Sequence, residues 1–144
     1  MPNAIDPSRE PRARHAPVTA AAPKAADLGP LPEWDLGDLY AGMDAPEFAA
    51  DLARAEAECK AIAEAYRGKL DGLARAEDGG ESLFAAIRRY EAVEDLIGLI
   101  MSFAGLVYSG DTTDPKRAKF YGDTQERLTS ASSDLLFFGL ELNR

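Results

Sequence analysis

The chain reads as an all-α protein built from long antiparallel helices, and three features of its sequence carry that expectation. Apolar residues recur at spacings of three and four from Phe48 to Tyr66 and again from Phe120 to Leu142, the stripe of a helix with one buried face. Between these stretches, residues 81–109 read as one uninterrupted helix, near 29 residues and roughly 43 Å long at 1.5 Å per residue. A connector of a few residues joins that helix to the next, which makes the two an antiparallel pair.

Residues 1–30 precede this domain and are expected to be a disordered tail. They contain Pro2, Pro7, Pro11, Pro17, Pro23 and Pro30 among many alanines, too little apolar surface to offset the entropy of ordering. No continuous apolar core of a secretory signal is present there, so the tail reads as a flexible cytosolic extension. The helical domain is expected to span 31–144 and to be incomplete at its C-terminal end. Trp34, Leu36, Leu39 and Tyr40 are too apolar for a linker. A helical turn near Gly37–Tyr40 is expected, with Trp34 anchored on the domain by packing rather than serving as an aromatic platform for a ligand.

The first helix is expected over residues 45–67. Asp44 is placed as its N-cap, with Glu47 bonding back. Phe48, Leu52, Ala55, Cys59, Ile62 and Tyr66 form its buried stripe, and Gly68 is its stop. A short turn follows around Leu70–Leu73, and Asp78-Gly79-Gly80 breaks the chain before the second helix. Residues 96–109 of that helix carry no charge over 14 positions, short of the about 20 a membrane span needs. The segment therefore reads as buried on all sides by neighbouring helices. Gly98, Ser102, Gly105 and Ser109 make a small-residue stripe suited to close approach of another helix. Gly110 is expected in the left-handed C-terminal position, Asp114 as the cap of the third helix and Pro115 as its first residue. Phe120, Thr124, Leu128, Ala131, Leu135, Phe138 and Leu142 share one face of that helix, and Leu135 to Leu140 form an apolar patch that would lack a partner.

Charge narrows the function. The whole chain carries −9; residues 1–30 hold four basic and three acidic groups, a net of +1, which leaves −10 on the remainder. Such an acidic body is unsuited to nucleic acid, whose binding needs clustered Lys and Arg, and gives no support to docking on anionic membranes. Cys59 is the only cysteine and His15 the only histidine. A disulfide within the chain is impossible, which fits a reducing compartment, and Cys59 reads as a helix residue without chemistry. Glu91, Glu94 and Asp95 lie near one another, yet the Glu-x-x-His of carboxylate-bridged metal pairs is missing. They read as a solvated face with Arg88 in reach of Glu91. Tyr108 and Tyr121 could serve as polar handles for a small molecule between the second and third helices, but no other polar group accompanies them.

Four groups of residues carry a family resemblance: Trp34-Asp35-Leu36 with Asp38-Leu39-Tyr40; Tyr66-Arg67-Gly68-Lys69-Leu70; Tyr108-Ser109-Gly110-Asp111 with Asp114-Pro115; and Leu135-Leu136-Phe137-Phe138 with Glu141-Leu142-Asn143. In order and spacing they resemble the N-terminal region of the oligoendopeptidase F branch of the M3 zinc metallopeptidases. The resemblance implies a mostly helical, usually cytoplasmic enzyme that hydrolyses short peptides in a deep channel around zinc. In that family an HExxH motif supplies two zinc ligands and a glutamate that activates water. This chain has no HExxH, so no catalytic or metal-ligating role transfers to any of its positions, and no substrate-contacting residue is assigned. The expectation is a non-catalytic N-terminal region whose partner is a catalytic domain elsewhere in the parent protein, with zinc a cofactor of the parent and not of this chain. The rival expectation is a stand-alone helical module that binds a partner or a second copy of itself through its exposed helix faces.

Overall fold

The computed structural model describes residues 33–78 and 80–143. The tail at 1–30, His15 and Gly79 lie outside the described residues. Every regular element among those described is helical: α1 (Pro46–Tyr66), α2 (Leu70–Ala74), α3 (Glu81–Gly110), α4 (Pro115–Ser132), a 3-10 turn (Ser133–Leu135) and α5 (Leu136–Leu142). The fold is all-α.

The helix ends follow from local chemistry. Pro46 takes the first position of α1 and forces the residue before it into extended backbone, so Ala45, not Asp44, is the N-cap (φ −62°, ψ 129°) and no side chain caps the helix. Gly68 leaves α1 with φ +79°, a conformation open to glycine and strained for other residues. Asp78 caps α3 from three residues before its formal start: its carboxylate accepts the Gly80 N–H at 3.0 Å and the Ser82 N–H at 3.1 Å. Gly110 corrects the expected left-handed stop. It remains helical, and the chain departs through extended Asp111 (φ −152°, ψ 96°), whose carboxylate takes the Thr113 N–H at 2.9 Å and hydroxyl at 2.7 Å. Asp114 caps α4 as expected, accepting from the Lys116 N–H at 2.8 Å.

The third predicted helix is two helices and a tighter turn. The Ser133 hydroxyl donates to the Ser130 carbonyl at 2.7 Å, and the Ser132 hydroxyl to the Thr129 carbonyl at 3.3 Å. Such side-chain bonds compete with the α-helical ladder, and the backbone tightens to 3-10 geometry there. Leu128, Leu135 and Phe138 remain buried on a common side across the change.

α3 packs along both α1 and α4. The pairs Val107–Arg117, Phe103–Phe120 and Tyr90–Phe138 step in opposite directions along the chain, so α4–α5 runs antiparallel to α3. Two cores result. One joins Tyr40, Phe48, Leu52, Ala55, Ile100, Phe103 and Leu128. The other joins Cys59, Ile62, Leu70, Ala86, Val93, Leu135 and Phe138. Between helices, Arg127 grips Glu56 through Nε and Nη2, both at 2.7 Å, a bidentate pairing that holds the Glu56 carboxyl below its usual range. Arg89 reaches Glu58 at 3.0 Å.

One prediction about α3 is overturned. Residues 96–109 are not surrounded: Ile100, Phe103 and Ala104 are buried, while Gly98, Leu99, Ser102 and Ser109 face outward. A side-chain carbon added at Gly98 would meet nothing within 4 Å, and at Gly105 only the Tyr121 ring at 3.9 Å. Among the described residues, no helix is seated on the stripe at Gly98, and only the Tyr121 ring of α4 reaches it at Gly105. The cause is the number of neighbours, since α1 and α4 together cover only one side of a cylinder about 10–12 Å across. By length and composition α3 could cross a membrane: its most apolar 18-residue window has a mean hydropathy of 1.5, and 22% of it is buried.

Candidate functional site: two motif corners and an open groove

Two of the four motif groups of the sequence touch directly, and the other two line one groove. At one end of the α1–α3 pair, the segment after α1 meets the segment around α5. Arg67 Nη2 donates to the Asp134 carbonyl at 3.0 Å and pairs with its carboxylate at 3.3 Å, and its guanidinium lies 5.3 Å from the centre of the Phe137 ring. The Gly68 N–H donates to Glu141 Oε1 at 2.7 Å. Leu70 and Phe138 are buried in the same core, where Tyr90 stacks on Phe138 at 4.4 Å. This corner fixes α5 against the chain that leaves α1, while Lys69 Nζ donates to the Glu64 and Ala65 carbonyls at the end of that helix at 3.3 and 2.8 Å.

At the other end, residues 33–43 meet the α3–α4 connection. Leu39 and Tyr40 donate backbone N–H groups to the Leu36 carbonyl at 2.9 and 3.2 Å, the expected turn. Tyr40, not Trp34, is the anchor. Its ring lies 5.2 Å from Phe48 and 5.1 Å from Phe103, edge-on to both, and its hydroxyl donates to Asp51 Oδ2 at 2.9 Å. Burial, then the Asp51 carboxylate, push the Tyr40 phenol up to about 12. Trp34 is 65% exposed, which corrects its expected anchoring. It lies on the rim of a groove.

That groove has a volume of about 310 Å³. Leu36, Phe103, Leu106 and Val107 form its apolar lining, Trp34 its rim, and Arg117 its cationic end. Arg117 Nη1 donates to the Val107 carbonyl at 3.3 Å, a positive charge placed on the last turn of a helix where the dipole favours it. Nη2 meets Glu33 Oε1 at 2.5 Å, and Nε lies 3.7 Å from Asp114. A side-chain carbon on Gly110 would come within 2.7 Å of Nη1, so glycine there makes room for the guanidinium.

The remaining sequence candidates are dispersed. Tyr108 and Tyr121 stack on each other at 5.3 Å, each ring covering its neighbour. Arg88 pairs with Glu91 at 3.1 Å on an exposed face, as expected. Cys59 is buried, and burial first, then Glu94 and Asp134, raise its thiol to about 11, far from the thiolate that nucleophilic chemistry requires. Among the described residues no three His, Cys, Asp or Glu side chains stand together as a metal-holding group. Sequence reasoning missed the groove and Arg117. Its signal was faint: Arg117 lies in the first turn of α4, where a basic residue opposes the helix dipole and so calls for acidic or carbonyl partners. Comparison with protein-family models, with curated proteins and with solved structures returns no match.

Proposed function

We propose that this chain is the non-catalytic N-terminal helical region of a zinc-dependent oligoendopeptidase similar to the F branch of the M3 family. Its role there is to help wall the peptide channel and restrict substrates by size. Rigid helices accomplish that without a reactive side chain. The observation that supports this reading is that two motif groups join at one corner while the other two line the groove at the opposite end. Arg67, Gly68 and Glu141 close that corner; Trp34, Leu36, Tyr40 and Gly110 line the groove.

The uncovered apolar surface fits the same reading. Leu136 is 71% and Leu140 69% exposed, one turn apart on α5, and Phe84 is 58% exposed on α3. Exposed apolar patches of this kind mark surfaces that meet another protein. We read the apolar run of α3 in the same way: its inner side builds the aromatic core, and its outer side receives the rest of a larger helical protein. Zinc does not fit this chain, because His15 is its only histidine, and no step of a reaction is assigned to these residues. Cytoplasmic residence and a peptide substrate belong to the proposed parent.

The test is complex formation with the HExxH-bearing helical domain of an M3 oligoendopeptidase F expressed without its own N-terminal helices. Sedimentation velocity is expected to show a one-to-one complex with the 144-residue chain, and a double change of Leu136→Glu and Leu140→Glu is expected to abolish it. A chain that forms a homodimer and ignores that domain would instead establish the self-associating module.

A further inference from the structure

We propose that the groove rimmed by Trp34 binds a small apolar monocarboxylate, and that Glu33 occupies the place of the ligand's acid group. The site has one cation and an apolar floor. Leu36, Phe103, Leu106 and Val107 line it, and Arg117 stands at one end. Its volume, about 310 Å³, lies at the small end of ligand pockets and suits a single ring with a short acid arm. Arg117 already holds a carboxylate on Nη2, that of Glu33 at 2.5 Å. A planar guanidinium matches a carboxylate in geometry and charge.

The Glu33 contact is made to be displaced. The Glu33 side chain is 71% exposed, whereas Arg117 is 25% exposed, and ion pairs with a solvent-facing member contribute little. Arginine has five N–H donors. Its bond to the Val107 carbonyl uses Nη1, and its Asp114 contact uses Nε. A ligand can therefore take Nη2 while the interaction that closes α3 persists. Asp35 also lines the groove and Asp114 flanks the guanidinium. These acids oppose a dianion such as a phosphate ester more strongly than a monoanion, so a single carboxylate is the most that the one guanidinium can take.

Trp34 is the only tryptophan in the chain and reports on this site alone. The experiment titrates the full chain with 3-phenylpropionate, and in parallel with its uncharged amide, while Trp34 emission is followed. A saturable emission change is expected with the acid, at least about tenfold weaker with the amide, the loss of one charged hydrogen-bonded contact. Glu33→Gln is expected to tighten acid binding by up to about fivefold, because it removes the internal competitor. Arg117→Met is expected to lose the response while far-UV circular dichroism stays helical. Absence of a saturable change with the acid, an equal response to the amide, or a Glu33→Gln chain that binds no tighter would each overturn the proposal. The Glu33→Gln arm decides the matter even if Arg117→Met fails to fold.

Discussion

Replacing Phe103 with alanine is expected to destabilise the fold by about 3–5 kcal/mol. The ring is 1% exposed and lies 5.1 Å from Tyr40, 5.6 Å from Phe48 and 6.1 Å from Phe120. It is thus the one side chain of α3 in aromatic contact with the entry segment, α1 and α4 together. Truncation removes both the transfer free energy of the ring and its contacts on all three sides, and helices fixed at two corners cannot collapse fully into the gap. Domains of this size are stable by only about 5–15 kcal/mol, so the variant should lose a large share of its stability. Urea unfolding followed by circular dichroism measures the effect. Leu140→Ala, at an exposed position, is the control and should change stability by less than about 1 kcal/mol. A Phe103→Ala chain as stable as that control would contradict the assigned core.

The second large effect is a loss of stability at high pH that belongs to one phenol. The Tyr40 proton is held more tightly in the folded chain, with the phenol raised to about 12 from 10.0. A group raised on folding contributes fully below its unfolded value and loses that contribution as pH rises through the folded one. Tyr40 therefore stabilises the fold up to about pH 10, progressively less between 10 and 12, and not above. The amount is on the order of 2 kcal/mol. Other tyrosines and lysines titrate in the same range, so the measurement is the difference between the native chain and Tyr40→Phe. Their stability gap should narrow over that window by the stated amount. A gap that stays constant from pH 9 to 12 would show that Tyr40 is not the group responsible.

Much of the fold was legible in the residues because helix signals are local. The stripe from Phe48 to Ile62 is buried as its spacing predicts, and Asp114 with Pro115 starts α4 where capping chemistry says it must. Errors arose where two local rules compete or where the answer lies in tertiary contacts. Asp44 is a better cap than Ala45 by residue type, but Pro46 fixes the first turn one position later. Three serines in residues 130–133 offer hydroxyls to the backbone, and the helix tightens there, an effect that apolar periodicity does not register. Trp34 and Tyr40 are both aromatic in one short segment, and only the position of Phe48 and Phe103 decides that Tyr40 is the anchor. The charge-free stretch of α3 reads as buried because its composition reports what its surface needs. It does not report which neighbours are supplied, and the outer side carrying Gly98, Leu99 and Ser102 is not covered by the described residues.

The groove was illegible for a related reason. Glu33 and Arg117 are separated by 84 residues, and no spacing rule links them. Their meeting depends on the turn at Leu36–Tyr40 and on the α3–α4 connection together. The corner between α1 and α5 has the same character: Gly68 and Glu141 lie 73 residues apart, and their contact became visible only in the fold.

The central claim is that these helices are scaffold without a reactive centre of their own. Metal analysis of the purified 144-residue chain, combined with a fluorogenic-peptide assay in added zinc, tests it most directly. The expected result is far less than one zinc per chain and no peptide cleavage above a heat-denatured control. Equimolar zinc together with chelator-sensitive cleavage that persists through repeated purification would contradict it.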